Sequence, residues 1–175
     1  MTKKQEKILK TGLKLFSEEG YHSTSTSKIA KVAAVSEGLI FRHFGNKEGL
    51  LKEILNYGTT VAKRYFEPIS KLKNPEEIIN AIIEIPFNID EEEKVFWRLL
   101  YTLKWQNHSY DRTAIQLMIQ IASEAFNKLG YEDPESEANI LEMILDGAAT
   151  MLLLKSNLPN EEKLLKSIKS KYNLN

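Results

Sequence analysis

The sequence predicts an all-α protein of about nine to ten helices, with a three-helix domain over residues 1–47 and a larger helical domain over 48–175. Apolar residues recur three and four apart along most of the chain, the period of a helix buried on one side. Helix starts and stops punctuate that pattern at Gly20, Asn74–Pro75, Gly130 and Pro134. The stretch Thr24–Lys47, TSTSKIAKVAAVSEGLIFRHFGNK, reads as two short helices joined by a tight turn, the shape that enters a DNA groove.

The first helix is expected over residues 3–19, where Ile8, Leu9, Leu13, Leu15 and Phe16 gather on one side and lysines on the other; Gly20 ends it. Thr24 or Ser25 offers a hydroxyl to cap the second, which carries Ile29, Val32 and Ala33 on its inner face and Lys28 and Lys31 outside. Ser36 is the cap expected for the third. There Ile40 and Phe44 sit four apart and face inward, leaving Leu39, Arg42 and His43 outward. A cation, an imidazole and a large aliphatic on one exposed face suit a major groove, where cations meet phosphates or guanine edges and Leu meets a thymine methyl.

Asn46 caps a long fourth helix, Lys47 to about Leu72, disturbed at Pro68. Asn74 and Pro75 open a fifth that ends by Pro86 and is crowded with isoleucine. The sixth, from Glu91 to about Asn107, starts with three acids; these complement the helix dipole and, with no His at ligand spacing, do not predict a metal site. Its Phe96, Leu99, Leu100 and Leu103 form a core stripe. Trp97, Tyr101 and Trp105 form a second, a candidate wall for a small apolar ligand, with His108 just beyond. An aromatic stripe also serves as plain core or subunit contact, and the spacing alone does not decide between these.

The seventh helix, about Asp111–Leu129, is apolar on two faces, one of Ile115, Met118, Ile119, Ala122 and Phe126, the other of Ala114, Leu117, Ile121 and Ala125. The eighth, from Pro134 to about Asn157, is apolar nearly all round, with Gly147, Ala148 and Ala149 permitting close approach. Helices with this much apolar surface need partners on more than one side, so a homodimer is expected with Met118, Ala122, Phe126, Ile144, Ala148, Met151 and Leu152 at its interface. A last amphipathic helix covers Glu161–Tyr172.

The net charge of zero hides an asymmetry: residues 1–47 hold nine Lys or Arg against four acids, while the remainder holds fifteen against twenty. The basic end is the DNA end, because local excess sets the field at a binding face. An excess of five charges is modest, so two copies are expected to bind together. With no Cys, disulfides, zinc fingers and thiol catalysis are excluded. The charged start MTKKQEKILK has no signal-peptide core and the longest apolar run is too short to span a bilayer, which predicts a cytoplasmic protein with no membrane partner.

Gly20 and Tyr21, Thr24 and Ser25, Ile29 and Ala30, Val35 and Ser36, Gly38, His43 and Phe44, then Lys47, Glu48 and Leu50 together resemble the N-terminal DNA-binding domain of the TetR (tetracycline repressor) family of bacterial transcription regulators. Ala34, Leu39 and Phe41 depart from that family's usual Gly, small residue and Tyr. Phe41 lacks the hydroxyl that commonly meets a phosphate, and its ring is left to pack against sugar. The resemblance implies a DNA-binding regulator, most simply a repressor, that binds a palindromic operator as a homodimer and is released by a small apolar effector. It puts Lys47 against phosphate and the far end of the fourth helix, with Phe66, beside the effector pocket.

Within the reading unit, Thr24, Thr26 and Lys47 are assigned to phosphate, and Ser36, Leu39, Arg42 and His43 to the groove, with Gly38 allowing close approach and Phe41 a DNA contact through sugar. No cofactor is implied. No phosphate-cradling Gly loop and no HExxH motif occur, and the three His are scattered, so catalysis has little support. The alternative is a helical sensor or protein-interaction module that has lost specific DNA reading.

Overall fold

The computed structural model describes residues 1–106, 112–154 and 160–174, without the side chains of Thr59, Trp105 and Gln106. Among these residues the chain is all-helical: α1 Lys3–Glu19, α2 Thr26–Val32, α3 Glu37–Phe44, α4 Lys47–Ile69, α5 Pro75–Glu84, a 3-10 turn Ile85–Phe87, α6 Glu91–Gln106, α7 Thr113–Lys128, α8 Pro134–Leu153 and α9 Glu161–Lys171. No helix among them is long and apolar enough to cross a membrane.

The boundaries follow local chemistry. Thr2 caps α1 with a capping box, Ser25 accepts the Lys28 amide at the start of α2, and Asn74, Asp133 and Asn160 do the same for α5, α8 and α9. Asn46 Oδ1 takes the Gly49 amide at 2.7 Å and so caps α4. Three helices end in the same reciprocal pattern, in which two amides past the end return to carbonyls in the last turn: Ala34 and Val35 after α2, Gly130 and Tyr131 after α7, Asn173 and Leu174 after α9. That pattern needs a left-handed residue, and here Ala34 (φ 51), Gly130 (φ 82) and Asn173 (φ 55) supply it. For Ala34 the conformation costs about 1–2 kcal/mol, the strain a glycine there would avoid.

Two compact units result. The first comprises Met1–Val61 with Glu91–His108, the second Ala62–Asp90 with Ser109–Asn175. In the first, α1 packs on α2 and α6, and α2 on α3. Its core holds Ile8, Phe16, Ile29, Ile40, Leu50, Ile54 and Leu99, each fully buried. In the second, α7 packs on α8 and α5, and α9 on α5. Phe126 is at its centre, 4.8 Å from the Tyr131 ring and 5.5 Å from that of Tyr172. Lys169 on α9 reaches Glu84 on α5 at 2.5 Å, a partly buried pair whose carboxylate also accepts from Asn80.

Candidate nucleic-acid interface

The helix pair at the head of the chain is built from short-range bonds. After α2, the left-handed Ala34 turns the chain and half-buried Val35 follows it. Ser36 holds the cap position of α3 with extended backbone, but its hydroxyl makes no bond to the helix; it stays exposed, so Ser36 positions without capping. The two helix starts are joined instead by Thr26 Oγ1, which donates to Glu37 Oε1 at 2.6 Å. At the far end of α3, a Cβ on Gly49 would fall 1.8 Å from the Phe44 carbonyl oxygen, so only glycine lets α4 begin this close to α3.

The side chains assigned to the groove divide in two. Ser36, Gly38, Phe41 and Arg42 are exposed, Phe41 by 47%, and a Cβ on Gly38 would meet open space. Leu39 and His43 are half-buried. His43 is tied back to the first helix: Gln5 Nε2 lies 3.2 Å from His43 Nδ1. Val32, expected inside, is 56% exposed, because the short α2 buries Ile29 and Ala30 and turns its last residue outward.

The phosphate assignments need correction at Thr24. It is 1% exposed, and its hydroxyl donates to the Gly20 carbonyl at 2.9 Å and lies 3.3 Å from that of Leu15, so it secures the loop after α1 rather than meeting solvent. Lys47 is also engaged within the protein. Its ammonium donates to the carbonyls of Tyr21 (2.9 Å), Thr24 (3.1 Å) and His22 (3.5 Å) and lies 4.4 Å from the centre of the Tyr21 ring. A bare loop of carbonyls is thereby closed onto the start of α4. Beneath it, burial and then the nearby Glu48 carboxylate push the Tyr21 phenol up to about 12.

The candidate effector residues divide between the units. Trp97 and Tyr101 belong to the first, both half-buried, with Trp97 edge-on to Phe96 at 5.8 Å. Phe66 belongs to the second and is half-buried. His108 and the side chain of Trp105 lie outside the described residues. No three His, Asp or Glu gather as metal ligands among the described residues.

The expected interface set mixes two faces. Ala122 (2% exposed), Phe126 (0%) and Ala148 (5%) are core of the second unit and cannot meet a partner as they stand. Met118, Ile144 and Leu152 are half-buried and Met151 is exposed. On α7 and α8 the large apolar residues left in solvent are Leu117 on α7 and Ile140, Met143, Met151 and Leu154 on or just after α8. Those of α8 fall three, eight and three apart, one stripe with exposed Gly147 at its middle, four residues from Met143 and four from Met151. The sequence could not separate these faces of α7 because both are apolar. Gln5 and Glu37, which hold the reading helix, were also missed. Thr2 and Gln5 do have capping-box spacing, but nothing local links Gln5 to a histidine 38 positions on.

Residues 8–54 match the family model described as bacterial regulatory proteins, tetR family. An uncharacterized HTH-type transcriptional regulator of Bacillus subtilis, YuxN, is 46% identical over 57 residues, 33% of this chain and 20% of that protein. The HTH-type transcriptional regulator UidR of Escherichia coli K12 is 32% identical over 80 residues, 45% of this chain and 41% of UidR. The chain thus spans well under half the length of these curated relatives. Over nearly its full length the fold is that of a transcriptional regulator from Saccharomonospora viridis solved with choline (TM-score 0.78, 20% identity, 98% and 96% of the two chains covered). It is also that of AibR, solved with isovaleryl coenzyme A and operator DNA (TM-score 0.71, 20% identity, 96% and 97% covered).

Proposed function

We propose that this chain, whose residues 8–54 match the tetR family model, is a repressor of that family whose homodimer binds a palindromic operator and leaves it when a small molecule binds. The observation that carries the reading is the free face of α3: Arg42, Phe41 and Gly38 stand exposed on a helix whose other side is pinned by fully buried Ile40, with exposed Ser36 just before its first turn. An eight-residue helix held this way presents a rigid cation and an aromatic ring to a groove, with Gly38 leaving room for the duplex.

The dimer is argued from the α8 stripe. Ile140, Met143, Met151 and Leu154, with Leu117 on α7, expose five large apolar side chains on neighbouring helices, and Gly147 leaves space for a second helix. Two copies of α7 and α8 would form a four-helix interface around a two-fold axis. Half-sites about one helical turn apart, roughly 34–36 Å, follow from that symmetry. For the effector, Trp97 and Tyr101 of the first unit are the proposed contacts, and the choline and isovaleryl coenzyme A solved with two fold neighbours make a small organic molecule the class to screen.

The test is selection from random duplex DNA with the purified protein at fixed, near-physiological salt. The expected result is a palindrome with half-sites one turn apart, which then serves as the probe for effectors by release. Salt-sensitive binding with no shared motif would overturn the proposal and favour a helical module without sequence reading.

A further inference from the structure

We propose that Gln5, in the first turn of α1, is a positioning residue that fixes the tautomer of His43 and makes the imidazole a hydrogen-bond donor to DNA. The inference deepens the DNA-reading role proposed above and rests on it.

Gln5 has two jobs. As the fourth member of the capping box, its backbone amide donates to Thr2 Oγ1 at 3.2 Å, and the Thr2 amide donates to Gln5 Oε1 at 2.7 Å. Only the carbonyl oxygen of a carboxamide accepts a hydrogen bond, so this second bond decides which end of the side chain is which. The other end is therefore NH2, and it faces His43 Nδ1 at 3.2 Å. A group with donors only requires a lone pair opposite it. Nδ1 must be unprotonated, and the ring proton of the neutral imidazole then sits on Nε2.

Nε2 is on the far edge of the ring and has no hydrogen-bond partner among the described residues. His43 follows exposed Arg42 on the same helix and is itself only half-buried. Bound to a duplex, an Nε2–H finds acceptors in purine N7, guanine O6 or a phosphate oxygen, whereas the opposite tautomer would turn a lone pair toward them. A helix cap thereby sets the hydrogen-bond sense of a residue on the reading helix.

Gln5→Glu isolates the effect. Glutamate keeps the capping box, since one oxygen still accepts the Thr2 amide, but the other replaces a donor by an acceptor opposite Nδ1 and demands a proton there. Histidine-selective 15N NMR of the DNA-free protein, recorded well above the ordinary imidazole range so that the ring is neutral, should show Nδ1 unprotonated and Nε2 protonated in the wild type, and Nδ1 protonated with Nε2 unprotonated in Q5E. Operator affinity of Q5E should fall about five- to 150-fold, the range of one lost groove contact, with helix content unchanged. In a His43→Ala background Q5E should cause no further loss. Operators with 7-deaza purines or with methylphosphonates at the half-site then separate a base-edge acceptor from a phosphate. A protonated Nδ1 in the wild type, or an affinity unchanged in Q5E, overturns the proposal. If the wild type selects no duplex, the DNA-reading role falls and the groove contact with it, whichever tautomer the free protein shows.

Discussion

Gly58 of α4 lies so close under the Phe96 ring of α6 that a Cβ added to the glycine would fall 1.6 Å from Phe96 Cζ. Both residues are buried in the first unit, Phe96 to 2% exposure. Helix propensity alone favours Gly58→Ala by about 1 kcal/mol, because glycine is a poor helix former. The packing predicts the opposite sign. The methyl must displace a buried ring, and overpacking of that kind costs about 1–3 kcal/mol, so urea unfolding should show net destabilisation. A stabilised variant would disprove the contact, and Phe96→Leu in the same chain should restore part of the loss.

Lys47 gives a second prediction, because two roles make different demands. If its ammonium serves the carbonyls of Tyr21, His22 and Thr24, Lys47→Ala strands those acceptors and should lower stability by about 1.5–3 kcal/mol. If it serves phosphate, the variant should fold normally and the logarithmic salt slope of operator binding should fall by about 1. Thermal unfolding and a salt titration of the same variant separate the two, and an unchanged melting temperature would sink the structural role.

What was legible in the sequence was whatever is decided within a turn of chain. Asn46, Asn74 and Gly130 cap or stop helices by bonding to their own neighbours where the sequence reading put them, and Ser25 proves to be the cap of α2 that the reading left open between it and Thr24. Decisions between distant surfaces were not legible. Phe126 and Leu117 lie on opposite sides of one helix, both apolar, and only the packing of α5 and α8 shows that Phe126 is core while Leu117 is 55% exposed. Thr24 has the composition of a phosphate contact, yet its hydroxyl is used by carbonyls four and nine residues back. His43 is identifiable as a groove residue from helical spacing, but its partner Gln5 is 38 residues away.

Arg42 is exposed on α3 and is proposed to enter the groove. Arg42→Ala should weaken operator binding by about 1–3 kcal/mol if the guanidinium reads a base edge, with the loss concentrated on one position of the half-site. A uniform loss across operator variants with a shallower salt slope would assign it to phosphate instead. Binding unchanged at fixed salt would remove it from the interface.

The tyrosines predict alkaline behaviour. Burial, and then the Glu48 carboxylate, raises the Tyr21 phenol to about 12, while burial followed by Glu137 raises both Tyr131 and Tyr172. An unfolded tyrosine ionises near pH 10. Between about pH 10 and 12 the unfolded chain therefore releases these protons first, and stability falls as pH rises through that window. The contribution is fully present below about pH 10. Urea midpoints should drop between about pH 10 and 12, and ultraviolet titration of the folded protein should show a late-ionising class among the seven tyrosines. All seven titrating together near the ordinary value would contradict it.

Met143 tests the dimer. It is 69% exposed, the most open large apolar side chain on α8, and lies between Ile140 and Gly147 on the stripe proposed for the two-fold interface. Met143→Glu removes no buried contact inside the protomer, so the melting of an isolated subunit should hardly change. Across a two-fold axis the same substitution places like charges near each other in an apolar interface, where each carboxylate loses water without gaining a partner. Sedimentation should therefore show wild-type dimer and M143E monomer, and the monomer should lose cooperative binding to the full palindrome while retaining weak binding to a half-site. A variant that stays dimeric would move the interface elsewhere. Phe126→Ala supplies the contrast: because Phe126 is fully buried among Tyr131 and Tyr172, it should cost about 3–5 kcal/mol of folding stability rather than act on association.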